Sequence, residues 1–366
     1  MTQYTNPDLR LSASSLTSGE IRWTSPSNIA LIKYWGKHGK QLPRNPSISF
    51  TLKEAYSDTT ISWSPKSVKD DSTIDLSFFF EGQANPAFGK KVETFLAEQL
   101  DAFPFLGQLS LKISSGNSFP HSAGIASSAS AMSAVAMCLC SMENRFFNTL
   151  NDNAAFLKKA SYFARLGSGS AARSVYPFVA VWGQTDAVAD SSDLYAIPFA
   201  DKVHPMFHDF HDAILIISKE EKSVSSRAGH ALMEGNPYAP VRYAQANSRL
   251  ETLIKAMAIG DLETFGNITE GEALTLHALM MTSEPSFLLM ASNSLEAIQR
   301  VRAFRADTGV PLYFTLDAGP NLHLLYPGEH RDVVESFIKS DLESLCENGR
   351  WIADKSGEGP VKITES

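Results

Sequence analysis

Ser114-Ser115-Gly116-Asn117-Ser118-Phe119-Pro120-His121-Ser122-Ala123-Gly124-Ile125-Ala126-Ser127-Ser128-Ala129-Ser130-Ala131 joins an apolar run, Leu109 to Ile113, to a small-residue run that continues to Cys140. That order predicts a strand, a hydroxyl-rich loop and a helix. The first N–H groups of a helix have no partner within it and its dipole is positive there, so phosphate can settle on them. Gly124 lets a ligand approach the backbone, and Ser118, Ser122, Ser127, Ser128 and Ser130 offer hydroxyls to phosphate oxygens or a hydrated cation. A Ser/Ala helix start packed against a neighbour has the same composition. The stretch alone does not separate the two readings.

The surrounding chain has 366 residues, enough for two domains or one large one. A net charge of −8 argues against a nucleic-acid surface but leaves room for a local basic pocket. Cys138, Cys140 and Cys346 have no metal-ligand spacing and read as buried thiols in a reducing compartment. No apolar run is long enough to cross a membrane. Residues 1–17 are polar, without the apolar core of a secretory signal, and Arg10 alone is too little charge for a basic presequence. The expectation is a flexible leader, 1–17, on a cytoplasmic protein.

Residues 20–35 suggest strands around a Ser25-Pro26-Ser27 turn, followed by strands at 47–52, 58–63 and 73–80 and a helix from Phe88 to Leu100. Asp152 to Leu166 reads as a helix capped by Asn151 or Asp152, and Phe178 to Trp182 as an apolar strand. Ala213 to Ile217 resembles a buried strand opening a second domain. Residues 225–307 are helical in pattern, with breaks at Gly235-Asn236-Pro237 and Ser283-Glu284-Pro285. Strands at 311–316 and 322–326 precede a last helix, Arg331 to Glu347. Clustered strands and helices indicate α+β rather than strict alternation.

Three further segments carry chemistry. Lys33 and Lys37, beside Tyr34, Trp35 and Gly36, suit an anion pocket, or else a surface lysine and a strand anchor. Gly167-Ser168-Gly169-Ser170-Ala171-Ala172-Arg173-Ser174 fits a dinucleotide fingerprint nominally, but a helix precedes it where that motif needs a strand. What remains is a flexible turn with two hydroxyls and a guanidinium able to clamp a carboxylate or phosphate, or a plain turn before a strand. Asp317, ahead of Ala318-Gly319-Pro320-Asn321, is a base, an orienter of a hydroxyl, or the side chain of a local Asx turn. His277 reads as a core histidine. Walker, His-Glu-x-x-His and Gly-x-Ser-x-Gly motifs are all missing from the sequence.

Together these segments resemble one family. Pro26 through Lys37 is similar to the amino-terminal signature of diphosphomevalonate decarboxylases, and Asn45 through Leu52 to the Ser-rich strand that follows it. Phe119 through Ala129 resembles that family's form of the GHMP-kinase phosphate loop. Gly167 through Ser174 and Asp317 through Asn321 match its remaining signatures in order, with Lys222 through Ser226 and the helix around His277 in line. The resemblance covers about residues 19 to 345.

It implies a two-domain GHMP-kinase fold of α+β class, 18–205 and 206–366, with a ferredoxin-like carboxy-terminal domain and a cleft between the domains. It also implies the reaction: ATP phosphorylates the 3-hydroxyl of mevalonate 5-diphosphate, then phosphate and CO2 leave to give isopentenyl diphosphate. On this resemblance Asp317 lies against the 3-hydroxyl, Lys33 beside it, and Arg173 on the carboxylate. Asn28, Tyr34, Lys37, Ser168, Gly169 and Ser170 bind the substrate. ATP falls to Ser118, Ser122, Ala123, Gly124, Ile125, Ala126, Ser127, Ser128, Ser225 and Ser226, and Mg2+ to Ser127 and Ser128. A homodimer is the family expectation. The chain departs from the pattern at His121-Ser122, at Tyr176-Pro177-Phe178, at His38-Gly39-Lys40, and at His230, where the family often has Met. The alternatives are a mevalonate 5-phosphate decarboxylase, a mevalonate 3-kinase of the same fold, or a non-catalytic GHMP-like binding protein.

Overall fold

The structure, a computed structural model, describes residues 3–67, 70–120, 125–220 and 224–366. Strand β1 (Gly19–Ile32) begins with Ile21 and Trp23 buried between half-buried neighbours, then becomes continuously buried. The expected turn at Ser25-Pro26-Ser27 is instead a bulge in this one strand, where the pairing register shifts between Pro26 and Asn28. Proline has no N–H for the ladder, and a bulge accommodates it without ending the strand.

Beyond β1 a small hairpin, β2 (Lys37–His38) and β3 (Leu42–Pro43), leads into β4 (Ser47–Pro65). The two strands expected at 47–52 and 58–63 are this single strand. Its first half pairs with β8 (Val179–Trp182) and its second with β7 (Leu109–Asn117), so both halves have partners. Adding β5 (Asp75–Phe80), β6 (Gln83–Ala84) and β9 (Ala196–Pro198) completes most of an eight-stranded sheet. Among the described residues only β5 and β7 run parallel. Helices α1 (Pro86–Ala97), α2 (Ser127–Phe147) and α3 (Asn153–Gly167) accompany it, with Asn85 and Asp152 capping α1 and α3.

A second sheet contains β10 (Phe210–Leu215), β11 (Tyr313–Thr315), β12 (Leu322–Pro327) and β13 (Trp351–Lys355), antiparallel in the order β11-β12-β10-β13. Between β10 and β11 lie α4 (Ser226–Ala231), α5 (Ala239–Ile259), α6 (Leu262–Met281) and α7 (Ser292–Thr308), and α8 (Arg331–Phe337) precedes β13. Strand, helices, two strands, helix, strand in that order is the ferredoxin-like arrangement. The two sheets meet through an aromatic cluster of Phe50, Phe207, Phe210 and Phe265. Asp354 of β13 also accepts the backbone N–H groups of Lys53, Glu54 and Ala55 in β4.

Several expectations need correction. Residues 3–17 are packed and not a free leader: Leu9 and Leu11 are buried, Tyr4 meets Tyr162 edge-on, and Gln108 bonds the Leu11 backbone. The last helix does not run to Glu347; after Phe337 it widens into a turn that keeps Ile338 and Leu342 fully buried, then breaks into short turns. The chain's last strand, β14 (Val361–Glu365), crosses back from the second sheet to pair with β1 in the larger one. Its alternation is too brief and too exposed to stand out in the sequence.

Candidate active site

Lys33 follows β1 directly and Asp317 stands just past β11, so two strand ends bring them together. Lys33 Nζ donates to Asp317 Oδ1 at 2.8 Å, with the lysine side chain 2% exposed and the aspartate 29%. Burial pushes the Lys33 pKa below its ordinary value, while Asp317 pulls it back up. The Lys33 backbone is held as well: its N–H donates to Glu272 Oε2 at 2.9 Å, and its carbonyl accepts from Arg242 (2.7 Å) and Asn45 (3.0 Å). Glu272, fully buried on α6, is gripped by Arg242 and Arg249 of α5. Burial alone would raise the Glu272 carboxyl, but these guanidiniums bring it below its ordinary value. The Asp317 carbonyl accepts from His277 Nε2 at 3.1 Å, which gives that core histidine a role in fixing the acid's backbone.

The turn expected at Gly167 to Arg173 is a short 3-10 helix, Gly169–Val175, started by a glycine where a side chain would clash. A Cβ on Gly169 would lie 2.6 Å from the Tyr34 hydroxyl and 2.8 Å from the Trp182 ring. Arg173 projects inward and donates to Ser47 (2.5 Å), Ser49 (3.0 Å) and the Asn28 carbonyl oxygen (3.1 Å). Burial lowers its pKa to about 10, with Asp317 and Tyr34 opposing. Among the described residues no carboxylate pairs with it, although it lines the cavity that Asp317 and Lys33 share. Asn28 is spent on this scaffold, donating in turn to the Ser170 carbonyl and to Ser174.

That cavity, of about 450 Å3, is also lined by Tyr34, Lys37, Ser168, Gly169, Ser170, Ser225 and Ser226. Lys37 donates to the neutral Gln41 amide at 2.7 Å, and burial together with Arg227 depresses its pKa. Burial raises the Tyr34 hydroxyl to about 12. Ser225 caps α4 through Ala228 N–H.

The expected helix after the hydroxyl-rich loop is α2, which starts at Ser127. Its cap residue Ala126 is left-handed (φ 46°) and supplies no side-chain hydrogen bond, so the first turn is not capped by its own sequence. Ser128 bonds Ser168 at 3.2 Å, linking this helix start to the 3-10 segment. Ser127 instead faces a second, apolar cavity of about 190 Å3, which Phe78, Phe80, Phe88 and Val92 also line. Ser118 lines neither cavity; its hydroxyl ties the loop to the backbone of Glu54 and Tyr56 in β4. The Ile125 side chain is buried and its carbonyl accepts from Ser27. Ser122, Ala123 and Gly124, like His121, Lys222 and Ser223, lie outside the described residues.

For Mg2+, the described residues contain no cluster of three His, Cys, Asp or Glu side chains. The neutral hydroxyls of Ser127 and Ser128 fit a cation that takes most of its ligands from phosphates and water.

The sequence reading missed Gln41, Lys91, Arg227 and His230, which all line the larger cavity. Lys91 sits on α1 outside every motif, so only the folded chain brings it there. His230 was visible only as a departure from the family pattern.

Residues 25–194 match the diphosphomevalonate decarboxylase-like N-terminal domain, and residues 213–362 the mevalonate 5-diphosphate decarboxylase C-terminal domain. Diphosphomevalonate decarboxylase of Ganoderma lucidum is 31% identical over 86% of this chain and 80% of its own. The crystal structure of mevalonate diphosphate decarboxylase from Staphylococcus aureus superposes with a TM-score of 0.79 at 27% identity, covering 95% of this chain and 98% of that one. MDDEF in complex with MVAPP, AMPPCP and magnesium superposes with a TM-score of 0.77 at 28% identity, over 95% and 99% of the two chains. No helix among the described residues is long and apolar enough to cross a membrane. The chain belongs to the diphosphomevalonate decarboxylase family.

Proposed function

We propose that this enzyme carries out the ATP-dependent decarboxylation of mevalonate 5-diphosphate to isopentenyl diphosphate. One observation carries the reading: a Lys33–Asp317 pair and a buried Arg173 without a carboxylate partner among the described residues line the same cavity. A buried guanidinium answered only by neutral oxygens is incomplete until an anion arrives. The substrate carboxylate supplies it.

Asp317 accepts the proton of the 3-hydroxyl, or orients that hydroxyl, as its oxygen attacks the γ-phosphorus of ATP and ADP leaves. Lys33 counters charge on the transferred phosphoryl group. The new C–O–phosphate bond then breaks, positive character develops at the tertiary carbon, and the carboxylate C–C pair becomes the double bond as CO2 departs. Arg173 keeps the carboxylate anionic until that moment. Lys37, Tyr34, Ser168 and Ser170 hold the 5-diphosphate. The ATP phosphates lie at the start of α2, and the apolar cavity beside Ser127 suits the nucleotide base. Ser127 and Ser128 would hold Mg2+ together with phosphate oxygens, and the ion would neutralise phosphate charge there.

The same reading places the enzyme in isoprenoid biosynthesis, within lipid metabolism, as a cytoplasmic homodimer; sedimentation and cell fractionation test those points. The decisive test is incubation with ATP, Mg2+ and mevalonate bearing no, one or two 5-phosphates, following ADP and CO2. Release of both with the diphosphate is the expected result; ADP without CO2 would leave a 3-kinase.

A further inference from the structure

His230 lies on α4, three residues beyond the cavity-lining Arg227, and it has no place in the chemistry above. Its ring is sandwiched between Tyr34 and Trp35, with ring centroids 4.4 and 4.5 Å away. Gly229 makes this seat possible, since a Cβ there would lie 2.5 Å from the Trp35 ring. Nδ1 of His230 accepts the Gly36 N–H at 3.0 Å. An accepting Nδ1 carries no proton, so in the neutral ring the proton is on Nε2. Burial, with Lys37 nearby, lowers the His230 pKa to about 3, so the ring stays neutral.

Nε2 has no protein partner among the described residues, and it is not one of their fully buried unsatisfied atoms. His230 keeps 7% of its surface exposed and lines the cavity. Lys37 and Arg227, the cations that line this end, likewise have no carboxylate partner among the described residues. We infer that His230 is a substrate-binding residue whose Nε2–H donates to an oxygen of the substrate's 5-diphosphate. Beside two cations, a neutral donor adds a hydrogen bond without a third like charge. The tautomer is set in advance by the Gly36 backbone, so the donor is in place before the ligand enters.

This inference rests on the proposed substrate, and the test separates the two. Histidine-15N spectra of the wild-type enzyme should show His230 protonated on Nε2, with that signal moving on addition of mevalonate 5-diphosphate but not of mevalonate. His230→Asn keeps an acceptor near the Nδ1 position and loses the distal donor. It should raise KM for mevalonate 5-diphosphate roughly 10-fold and leave KM for ATP in place. His230→Gln, whose amide reaches the distal position, should lose less. A proton on Nδ1, an unmoved signal at saturating mevalonate 5-diphosphate, or an unchanged KM in His230→Asn overturns the inference while the function stands. If the wild-type enzyme releases no CO2, the proposed function itself fails and the inference with it. Should His230→Asn not fold, the wild-type spectra decide.

Discussion

Lys33 and Lys37 are four residues apart in one motif, yet the structure surrounds them in opposite ways. Lys33 is buried, paired with Asp317, and held at its backbone N–H and carbonyl by Glu272, Arg242 and Asn45. Lys37 is half-buried, beside a neutral Gln41 and another cation, Arg227. The difference teaches how one cavity divides its labour. Where bonds are made and broken, charge is paired and positions are fixed before substrate arrives. Where the substrate is gripped, positive charge is left for the ligand's phosphates to complete.

The largest effect expected on this contrast comes from Asp317→Asn. Removing the acid should lower kcat by about 100-fold or more and leave substrate affinity largely intact, as steady-state kinetics and calorimetry can show. Near-normal turnover would take Asp317 out of the mechanism. Glu272→Ala should come next, because it strands the buried Arg242 guanidinium; urea unfolding should show a loss of about 3–5 kcal/mol, together with reduced kcat. An unaffected unfolding midpoint would mean the Lys33 backbone needs no such clamp.

At the other lysine the pattern should reverse. Lys37→Met should raise KM for mevalonate 5-diphosphate by roughly 10- to 100-fold with little change in thermal midpoint. Equal losses of stability at the two lysines would erase the distinction drawn here. A titration sharpens it: Lys33 is held below its ordinary value of 10.5 by burial and raised again by Asp317, so Asp317→Asn should move its 13C-detected midpoint lower still. Since the folded value lies below the unfolded one, the stability contribution of this group grows as pH rises through the folded value. The Lys37 midpoint should stay put in that variant. Gln41→Ala should do least, changing KM by only a few-fold, since a single neutral hydrogen bond contributes roughly 0.5–1.5 kcal/mol.

Much of the scaffold was legible because local patterns wrote it. The cap residue Asp152 and the helix breaks near Pro237 and Pro285 follow from backbone chemistry that neighbours in sequence decide. What misled was pairing at a distance. The Pro26 turn became a bulge because β4 continued the ladder past it, and residues 3–17 found cover on Tyr162 and Gln108 that their polar composition does not advertise. The site followed the same division. Lys33, Arg173 and Asp317 were named from motifs, while Ser118 proved to be a strand tie; Lys91 entered the cavity from an element without a motif, and Arg227 from the position just after one.

The sequence by itself determined which chemical groups are available and in what order: a hydroxyl-rich helix start, two lysines, a Gly/Ser segment ending in arginine, and an acid after a strand. Only the tertiary structure decided which of them carry uncompensated charge. That property depends on what is desolvated against what, and the partners come from more than a hundred residues away: Asp317 for Lys33, Ser47 and Asn28 for Arg173, Gly36 for His230. A guanidinium looks the same in any sequence; burial without a counter-ion is what turns it into a binding site.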